Sequence, residues 1–449
     1  MKRKIYSQLL EWKQTRNGDV ALLIEGARRI GKSYIVEEFA RNEYESYVLI
    51  DFNKVSSKVK RLFDDYLDDL DTFFEMLEQF YRVKLVPRRS VIIFDEVQQF
   101  PRARAAIKYL VADGRYDYLE TGSLISIHKN VKNIVIPSEE RAITMYPMDF
   151  EEFLWAMGNE TLMPFLSKQF TSGKPMKDIH REAMDYFRRY MIVGGMPQVV
   201  EKYVQTRDFE QVDAVKRDIL AIYRNDIHKH AGRLAMKVLS IFEEIPAQLQ
   251  KNERKFKLAN LSKDARMRDY ETAFMWLSDA KIINCCYNTT APNIGLKLNM
   301  DRLTLKCYMA DTGLLISHAF DEKQLVSSEL YSKLLLDKLE VNAGMLIENI
   351  VAQMLVAGGH KLYFYSNVDN QNAENRMEID FLIRKDVVTS RHNIIPIEVK
   401  SSSGYTIRSL NKCINKFGEY INSPTIIHSS DYREEDGKRY MPLYLTPLL

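Results

Sequence analysis

The sequence predicts a multidomain α/β protein, and three observations point to that class. The chain has 449 residues, about three times the roughly 150 residues of a typical domain, so we expect two to four domains. Its 46% hydrophobic and 28% charged residues are typical of a folded globular protein and exclude wholesale disorder. Over the first ~130 residues, short β-branched runs alternate with helical periods, which predicts a parallel sheet with helices on both faces.

The elements of this first region are predicted from the period of their apolar residues. A period of two indicates a strand, and a period near 3.6 indicates a helix. From 63 to 80 the apolar residues keep helical spacing with aspartates on the opposite side, which predicts one long helix. In order, the pattern predicts strand, helix, strand, helix, strand, helix and strand over 20–25, 32–41, 47–51, 63–80, 91–94, 105–111 and 116–121.

Beyond residue ~150 helical patterns dominate up to ~235, broken by the turn sequence Gly194-Gly195-Met196-Pro197. Two short helices, at 258–263 and 269–277, then precede a β-ribbon over 282–305. That order is typical of a winged helix-turn-helix, which can bind DNA through Arg266, Arg268 and Thr272 or serve a purely structural or protein-binding role. After ~325 the pattern predicts a helix, three strands and a helix over 341–356, 361–365, 378–383, 394–400 and 407–420.

Charge and cysteine content limit the partners that the sequence implies. Lys and Arg number 64 against 61 Asp and Glu, a net charge of +3, so any basic surface for nucleic acid must be local. The four cysteines form no CxxC pair, which predicts reduced thiols and a cytoplasmic protein. The N-terminus goes into an amphipathic stretch without an apolar signal region, and no run is long enough to span a membrane, so we expect no membrane partner.

The strongest motif lies directly after the first predicted strand. Residues 26–33 read Gly26-Ala27-Arg28-Arg29-Ile30-Gly31-Lys32-Ser33 and match G-x-x-x-x-G-K-[ST]. Glycines let the backbone curl so that its N–H groups converge on phosphate oxygens at a helix N-terminus. Lys32 would reach the β- and γ-phosphates of ATP, and the Ser33 hydroxyl would bind Mg²⁺.

A second motif supports the first. The apolar strand over 91–94 ends in Asp95 and Glu96, which is the Walker B pattern of P-loop ATPases. Asp95 would hold the coordination shell of Mg²⁺, and Glu96 would polarise the attacking water. ATP and Mg²⁺ are therefore the predicted cofactors, with Lys32, Asp95 and Glu96 as the predicted catalytic residues.

With these motifs the chain resembles the AAA-type ATPases of bacteria and archaea in which the ATPase is joined to a C-terminal domain of unknown function. The resemblance covers nearly the whole chain. It implies a P-loop parallel-sheet ATPase core over 1–160, a helical subdomain over 161–235, a winged-helix domain over 236–320 and a domain similar to PD-(D/E)xK nucleases over 321–449. Its segments are 25–33, 95–98, 121–123, 147–153, 194–197, 311–314, 348–349 and 397–400.

The resemblance also implies further nucleotide contacts. Thr121 or Ser123, at the end of the strand after Walker B, would be the polar sensor of the γ-phosphate or the attacking water; the alternative is a simple strand-ending turn. Arg141 would sense the γ-phosphate in its own or a neighbouring subunit, or is a surface arginine. Arg28 and Arg29 would contact phosphates or the next subunit.

In the C-terminal region, Glu348, Asp380 and Glu398 fit the carboxylates of the PD-(D/E)xK arrangement, with Lys400 as its lysine. Side chains alternate along a strand, so Glu398 and Lys400 share one face. If the strand of Asp380 lies beside them, two carboxylates converge on a Mg²⁺ ion, Glu348 adds a third from a helix, and Lys400 orients water. The alternative is a degenerate nuclease fold that serves as a DNA-binding or structural module.

Three hypotheses for function follow. The first is an Mg²⁺-dependent ATPase whose nucleotide state controls the attached domains, acting on DNA. The second is a metal-dependent DNA nuclease gated by ATP. The third is a non-catalytic nucleotide switch that signals through protein partners. An arginine that acts in a neighbouring subunit would require a homo-oligomer. All three hypotheses are compatible with such an assembly.

Overall fold

The computed structural model of the protein describes residues 1–16, 18–123, 137–251, 254–293, 295–321, 333, 343–369, 372, 374–402 and 404–449. Contacts within the chain define two units: Met1–Tyr146 with Asp279–Lys281, and Pro147–Ser278 with Ile282–Leu449. Within the described ranges, no helix combines the length and the apolar character that crossing a bilayer requires. All four cysteines are free thiols.

The first unit alternates strands and helices, as the sequence pattern predicts. Helix α5 illustrates how the chain sets its boundaries, because Pro101 occupies the first turn and Gly114 ends the helix at a φ of 75°. The elements are α1 (Ile5–Arg16), β1 (Ala21–Glu25), α2 (Lys32–Glu43), β2 (Ser46–Asp51), α3 (Ser57–Asp65), α4 (Leu70–Tyr81), β3 (Ser90–Asp95), α5 (Pro101–Asp113), β4 (Asp117–Gly122) and β5 (Glu140–Thr144).

These five strands form one parallel sheet in the order β2-β3-β4-β1-β5. The inner strands β3 and β4 are buried along their whole length, and β1 is buried except for its last residue. Burial on both faces is why β1 and β3 read as apolar runs. The predicted parallel sheet is confirmed. Because β4 lies between β1 and β3, the carboxyl ends of these three strands meet at one edge of the sheet.

The single helix predicted over 63–80 is wrong, because two helices occupy this stretch. Helix α3 ends at Asp65 and α4 begins at Leu70. The Asp69 carboxylate accepts a hydrogen bond of 3.2 Å from the Thr72 N–H and so caps the new helix. Phe63 and Phe73 still pack together, with ring centroids 5.2 Å apart. Both helices bury their apolar faces in one core, so the spacing alone did not reveal the break.

The second unit begins with helices and ends with a large sheet. The helix predicted over 341–356 is described from Ala343 onward, so its first two residues lie outside the described part of the chain. The elements are α6 (Phe150–Ala156), α7 (Leu162–Thr171), α8 (Asp178–Val193), α9 (Pro197–Thr206), α10 (Phe209–His230), α11 (Ala235–Gln250), α12 (Met267–Asp279), β6 (Ile283–Thr289), β7 (Met300–Met309), α13 (Thr312–Ala319), α14 (Ala343–Ala357), β8 (Tyr363–Asn367), β9 (Met377–Arg384), β10 (Ile394–Val399), α15 (Arg408–Phe417), β11 (Thr425–His428), β12 (Arg433–Glu435) and β13 (Lys438–Pro442).

The ribbon predicted as a wing is part of a larger sheet. Strands β6 and β7 pair antiparallel, and β6 continues in parallel with β8 through the pairs Tyr287–Tyr363 and Asn288–Phe364. The resulting eight-stranded sheet has the order β12-β13-β11-β10-β9-β8-β6-β7. The sheet therefore runs across the boundary predicted at residues 320 and 321, and the predicted domain boundaries stay predictions.

The glycine turn after α8 is held by an aspartate far along the chain. The Asp311 carboxylate accepts hydrogen bonds from the Gly195 N–H (2.6 Å) and from the Leu314 N–H (2.9 Å). It thus caps α13 and fixes the turn at once. The Gly195 carbonyl accepts a further bond of 2.7 Å from the Met148 N–H. Because a Cβ at position 195 would lie 2.1 Å from the Met148 carbonyl oxygen, only glycine fits there.

Replacing Gly195 by alanine should therefore lower the free energy of unfolding by about 1–3 kcal/mol, the usual cost of overpacking a tight site. Gly404→Ala is the matched control, since nothing lies within 4 Å of a Cβ added there. Urea unfolding of both variants and the wild type measures the effect. Equal midpoints for the two variants would show that the Gly195 turn tolerates a side chain.

Further polar side chains link the glycine turn and Asp311 to helix α14 and to Met148, near the start of the second unit. Together they form a polar junction around Asp311. The Asn349 amide donates to the Thr312 hydroxyl (2.8 Å), and the Thr312 N–H donates to the Gln353 carbonyl oxygen (2.8 Å). Gln353 then donates to the Tyr190 hydroxyl (3.1 Å), which donates to the Met148 carbonyl (2.9 Å). These side chains are buried, so the chain of bonds ties segments that are distant in sequence into one core.

A buried histidine predicts that the second unit loses stability in acid. His428 in β11 is 2% exposed, and burial, together with the charges of Arg433 and His180, lowers its pKa to about 4. A histidine in the unfolded chain has a pKa near 6.5. Between about pH 6.5 and 4, His428 therefore binds a proton in the unfolded state but not in the folded state. Stability should therefore fall by roughly 3 kcal/mol as the pH drops through this window.

His428→Gln should flatten that part of the pH dependence, whereas His228→Gln, at an exposed position of α10, should leave it unchanged. Unfolding midpoints measured from pH 7 to about pH 4 compare the three proteins. A wild-type slope that persists in His428→Gln would assign the acid sensitivity to other groups.

Candidate functional site

The predicted phosphate loop lies between β1 and α2, as its sequence requires. Gly26, Arg29 and Gly31 have φ angles of 156°, 69° and 88°, and these angles curl the backbone until α2 begins at Lys32. The first N–H groups of a helix have no partner within the helix, and the helix dipole favours negative charge beside them. The loop thus has the backbone form that binds phosphate.

Gly26 lets the loop approach the segment that follows β5. A Cβ at position 26 would lie 2.4 Å from the Met145 carbonyl oxygen. One residue earlier, the Glu25 carbonyl accepts a hydrogen bond of 2.7 Å from the Met145 N–H. The end of β1 and the end of β5 are therefore joined where the loop starts, and a side chain at position 26 would push them apart.

The Lys32 side chain points into its own loop. Its ammonium donates to the carbonyl oxygens of Gly26 (3.1 Å) and Ala27 (3.0 Å), and the residue is 5% exposed. Burial lowers the pKa of Lys32, while the charges of Glu96 and Asp95 oppose that shift. A cation held in so dry a position would be stabilised by additional negative charge, such as that of a triphosphate.

Asp95 brings the two predicted motifs together. At the end of β3, its Oδ1 accepts a hydrogen bond of 2.7 Å from the Ser33 hydroxyl and another from the Thr121 hydroxyl. Thr121 lies near the end of β4, the strand between β1 and β3, which explains why it reaches Asp95. Three polar residues from three parts of the sequence thus meet at the sheet edge.

Glu96 leaves the strand in a different direction from Asp95. Its φ of 54° is left-handed, and its N–H donates to the Thr121 hydroxyl at 3.2 Å. The Gln98 side chain, 3% exposed, donates to the Glu96 carboxylate. Sequence reasoning missed this role of Gln98. The residue was visible in the motif over 95–98, but its contact depends on the 3-10 turn over Val97–Gln99.

The structure places the other predicted nucleotide contacts as follows. Arg28 and Arg29 are exposed within the loop, and Ser123 follows β4 immediately before the undescribed residues 124–136. Arg141 is exposed in β5 and pairs with Leu22, whereas the strand reaches the phosphate-loop edge at Thr144. These residues stay predicted contacts.

A buried charged cluster beside β1 was also missed by sequence reasoning. Arg104 in α5 donates two hydrogen bonds, of 2.8 and 2.6 Å, to Glu140 in β5, and the two side chains are 5% and 4% exposed. Burial, then the neighbouring Glu140, raises the pKa of Glu120 well above its usual range. Glu140 thus anchors β5 to α5, a role that its position in the sequence does not show.

In the second unit, three of the four predicted C-terminal residues lie together. The pairing of Ile397 with Phe381 places Asp380 opposite Glu398, and the Asp380 carboxylate accepts a hydrogen bond of 2.8 Å from the Val399 N–H. The Lys400 ammonium donates to Glu398 at 2.6 Å. Burial raises the pKa of Glu398, although Lys400 opposes that shift.

Glu348 meets a lysine that the sequence analysis did not select. Lys306 in β7 donates to Glu348 at 3.2 Å, and the Tyr308 hydroxyl and the Arg254 guanidinium bind the same carboxylate. Burial disfavours the charge on Lys306, yet Asp380 and Glu378 raise its pKa above the usual value. A lysine between apolar residues in the buried second half of β7, over 305–309, was the signal that could have identified it.

Among the described residues, no group of three or more His, Cys, Asp or Glu side chains is arranged to hold a metal ion. The predicted ligand set of Glu348, Asp380 and Glu398 therefore stays a prediction. At the phosphate loop Mg²⁺ needs fewer carboxylate ligands, because there the phosphates and the Ser33 hydroxyl would supply further oxygen ligands.

Three family models match successive parts of the chain. Residues 19–154 match the model described as an AAA domain. Residues 184–324 and 343–446 match two domains of unknown function, DUF8612 and DUF4143. None of the curated proteins compared with the chain matches it. The region over 19–154 is thus an AAA-like P-loop domain, and the nuclease likeness of the C-terminal region stays a prediction.

Solved structures show only distant similarity. A Walker-type ATPase of Pyrococcus abyssi is 14% identical, with a TM-score of 0.40 over 71% of this chain and 95% of its own. The Thermotoga maritima RuvB Holliday junction branch migration motor is 13% identical, with a TM-score of 0.29 over 62% and 87%. Drosophila ORC bound to DNA is 11% identical, with a TM-score of 0.29 over 75% and 96%. Similarities this low decide no property of the chain.

Proposed function

We propose that the protein binds ATP with Mg²⁺ and hydrolyses it in the AAA domain, and that the nucleotide state controls the attached second unit. One observation carries the proposal. The hydroxyls of Ser33 and Thr121 both bond Asp95 Oδ1, where β1, β3 and β4 end, and Lys32 is buried in the adjoining loop. A phosphate loop beside a strand-end acid is the arrangement that a nucleotide with Mg²⁺ requires.

Each residue has a role that follows from its position. Lys32 would exchange the carbonyl oxygens of its own loop for the β- and γ-phosphates, which compensate its burial. Glu96, turned away from Asp95 by its left-handed backbone, would accept a proton from the attacking water. The Thr121 hydroxyl would hold Asp95 and the Glu96 N–H in place, so that the two acids keep a fixed relative position.

The residues present fit a magnesium ion. Ser33 Oγ and Asp95 Oδ1 are oxygen donors that lie 2.7 Å apart, so they face a common point, as ligands of one small cation must. When bound, Mg²⁺ neutralises charge on the phosphate oxygens and orients them. The protein itself holds the loop and positions Glu96.

A short covalent connection supports control of the second unit. Met145 is bonded to Glu25 beside the phosphate loop, and Met148, three residues later, is bonded to the Gly195 turn. A shift of the loop on nucleotide binding would be transmitted through this segment to the polar junction around Asp311. Nucleotide binding would then favour one of two positions of that junction.

We further propose that DNA is the target of the second unit. Arg266, Arg268 and Thr272 are exposed at and near the start of α12, where side chains of a recognition helix reach base edges. Acidic neighbours limit the positive charge, since Asp269 lies 3.8 Å from Arg268. Binding should therefore be modest and should weaken as salt rises.

ATP turnover of the wild type, with and without single- and double-stranded DNA and across salt, tests both parts. We expect Mg²⁺-dependent turnover that DNA stimulates most at low salt. The absence of turnover and of any thermal shift with ATP and Mg²⁺ would refute ATP binding. Slow single-turnover hydrolysis without DNA stimulation would favour the nucleotide switch that signals through proteins. DNA cleavage lost in Asp380→Ala would favour the ATP-gated nuclease.

The same measurements should include the assembly state. Arg28, Arg29 and Arg141 are all exposed, so each can reach a nucleotide held by a neighbouring copy only if the protein assembles. Sedimentation with and without ATP would show an oligomer. Turnover that rises more than linearly with protein concentration would show that hydrolysis requires assembly, which a role of these arginines across the subunit boundary demands.

A further inference from the structure

A buried lysine binds the acidic side chains of the eight-stranded sheet. Lys306 lies in β7 with 1% of its side chain exposed. Its ammonium lies 3.2 Å from Glu348 Oε1, 3.0 Å from Glu378 Oε1 and 3.5 Å from Asp380 Oδ1. A dry ammonium is unfavourable unless carboxylates surround it. The three acids thus form a cation site, and the cation in it is the Lys306 ammonium of the same chain.

The remaining charges of the cluster are matched as well. Arg254 pairs with Glu348, and the Lys255 ammonium lies 3.8 Å from Glu378. The Lys400 ammonium lies 2.6 Å from Glu398. Four carboxylates therefore face four cationic side chains: Glu348, Glu378, Asp380 and Glu398 against Arg254, Lys255, Lys306 and Lys400.

This arrangement disagrees with a metal between Glu348 and Asp380 of the predicted C-terminal site. A divalent cation between Glu348 and Asp380 needs their oxygens within about 2.6 Å of one point. The Lys306 ammonium occupies the space between those two carboxylates, and its charge would repel a second cation there. Glu398, the third predicted ligand, has one oxygen bonded to Lys400.

We infer that the C-terminal sheet works without a catalytic metal, because the Lys306 ammonium takes the place of the cation between Glu348 and Asp380. Lys306 joins β7 to α14 and β9, so the balance of charges holds the sheet together rather than activating water. The C-terminal region is then a structural or binding module that does not cut DNA. This inference does not depend on ATP hydrolysis, and either can fail without the other.

Counting free Mn²⁺ by electron paramagnetic resonance tests the inference on the full chain without nucleotide. The wild type and Asp380→Asn should retain the same number of Mn²⁺ ions, because no ion is bound at Asp380. The wild type should also leave DNA intact in Mn²⁺. One ion retained by the wild type and lost in Asp380→Asn, or Mn²⁺-dependent cleavage lost in that variant, would overturn the inference.

Lys306→Met tests it in the opposite direction. Without the ammonium, the uncompensated carboxylates should bind one additional Mn²⁺ ion at least about 10-fold more tightly than the wild type, a gain equal to 1.4 kcal/mol. The gain should disappear in Lys306→Met with Asp380→Asn. Lys255→Met is the matched control, because it removes a lysine beside Glu378 but keeps Lys306. A folded Lys306→Met protein that gains no ion would contradict the role of the ammonium. If Lys306→Met does not fold, the comparison of wild type with Asp380→Asn decides.

Discussion

Lys32→Ala should bind ATP at least about 10-fold to 100-fold more weakly than the wild type and lose turnover with it. The variant removes the ammonium that the loop encloses, and a hydrogen bond to a charged group contributes about 1.5–3 kcal/mol. The buried position of Lys32 strengthens the effect, because no water can replace the lost charge there. Fluorescent-nucleotide titration and phosphate release measure the two losses.

The control for this variant is Lys108→Ala, which removes an exposed lysine from α5 of the same unit. It should bind and hydrolyse ATP as the wild type does. Melting temperatures of both variants must also be compared, because Lys32 donates to the Gly26 and Ala27 carbonyls and its loss leaves them without that donor. Unchanged affinity in a folded Lys32→Ala protein would refute nucleotide binding by the loop.

Glu96→Gln should bind ATP with nearly unchanged affinity but turn it over about 100-fold to 10,000-fold more slowly, the range expected when a general base is lost. The amide keeps the size of the side chain and its partner Gln98, yet it cannot accept the proton of the attacking water. Binding and turnover should therefore separate in this variant, whereas they fall together in Lys32→Ala.

Glu75→Gln, at an exposed position of α4, makes the same chemical change away from the loop and should behave like the wild type. Single-turnover phosphate release, combined with equilibrium binding, distinguishes the variants. Turnover by Glu96→Gln at the wild-type rate would exclude Glu96 as the general base. It would indicate that another acid at the sheet edge has that role.

The motifs of the first unit were predictable because each is local. A glycine loop after an apolar strand predicts phosphate binding, and two acids at the end of another strand predict the Walker B acids. Neither prediction depends on the order of the strands in the sheet. The sensor role of Thr121 or Ser123 stays a prediction. The contact between a hydroxyl of β4 and Asp95 was not local. It depends on β4 lying between β1 and β3, which places the Thr121 hydroxyl against Asp95.

The helix break at Asp69 and the partner of Glu140 were missed for a related reason. Apolar spacing reports which face is buried, and the faces of α3 and α4 enter the same core, so the period continues across the cap. Glu140 is bonded to Arg104, 36 residues earlier, and a buried ion pair between distant segments leaves no periodic trace in the sequence.

By itself, the sequence determined that this chain has a parallel-sheet domain with a loop able to hold phosphate, because strand periods and glycine spacing are properties of neighbouring residues. Only the tertiary structure decided how the distant charges pair. It brought Asp380 opposite Glu398, a neighbourhood that the sequence analysis could state only as a condition, and it placed Lys306 beside Glu348, Glu378 and Asp380. Electrostatic compensation acts through space, so a lysine in one strand can satisfy acids more than 40 positions away, and no spacing rule along the chain contains that information.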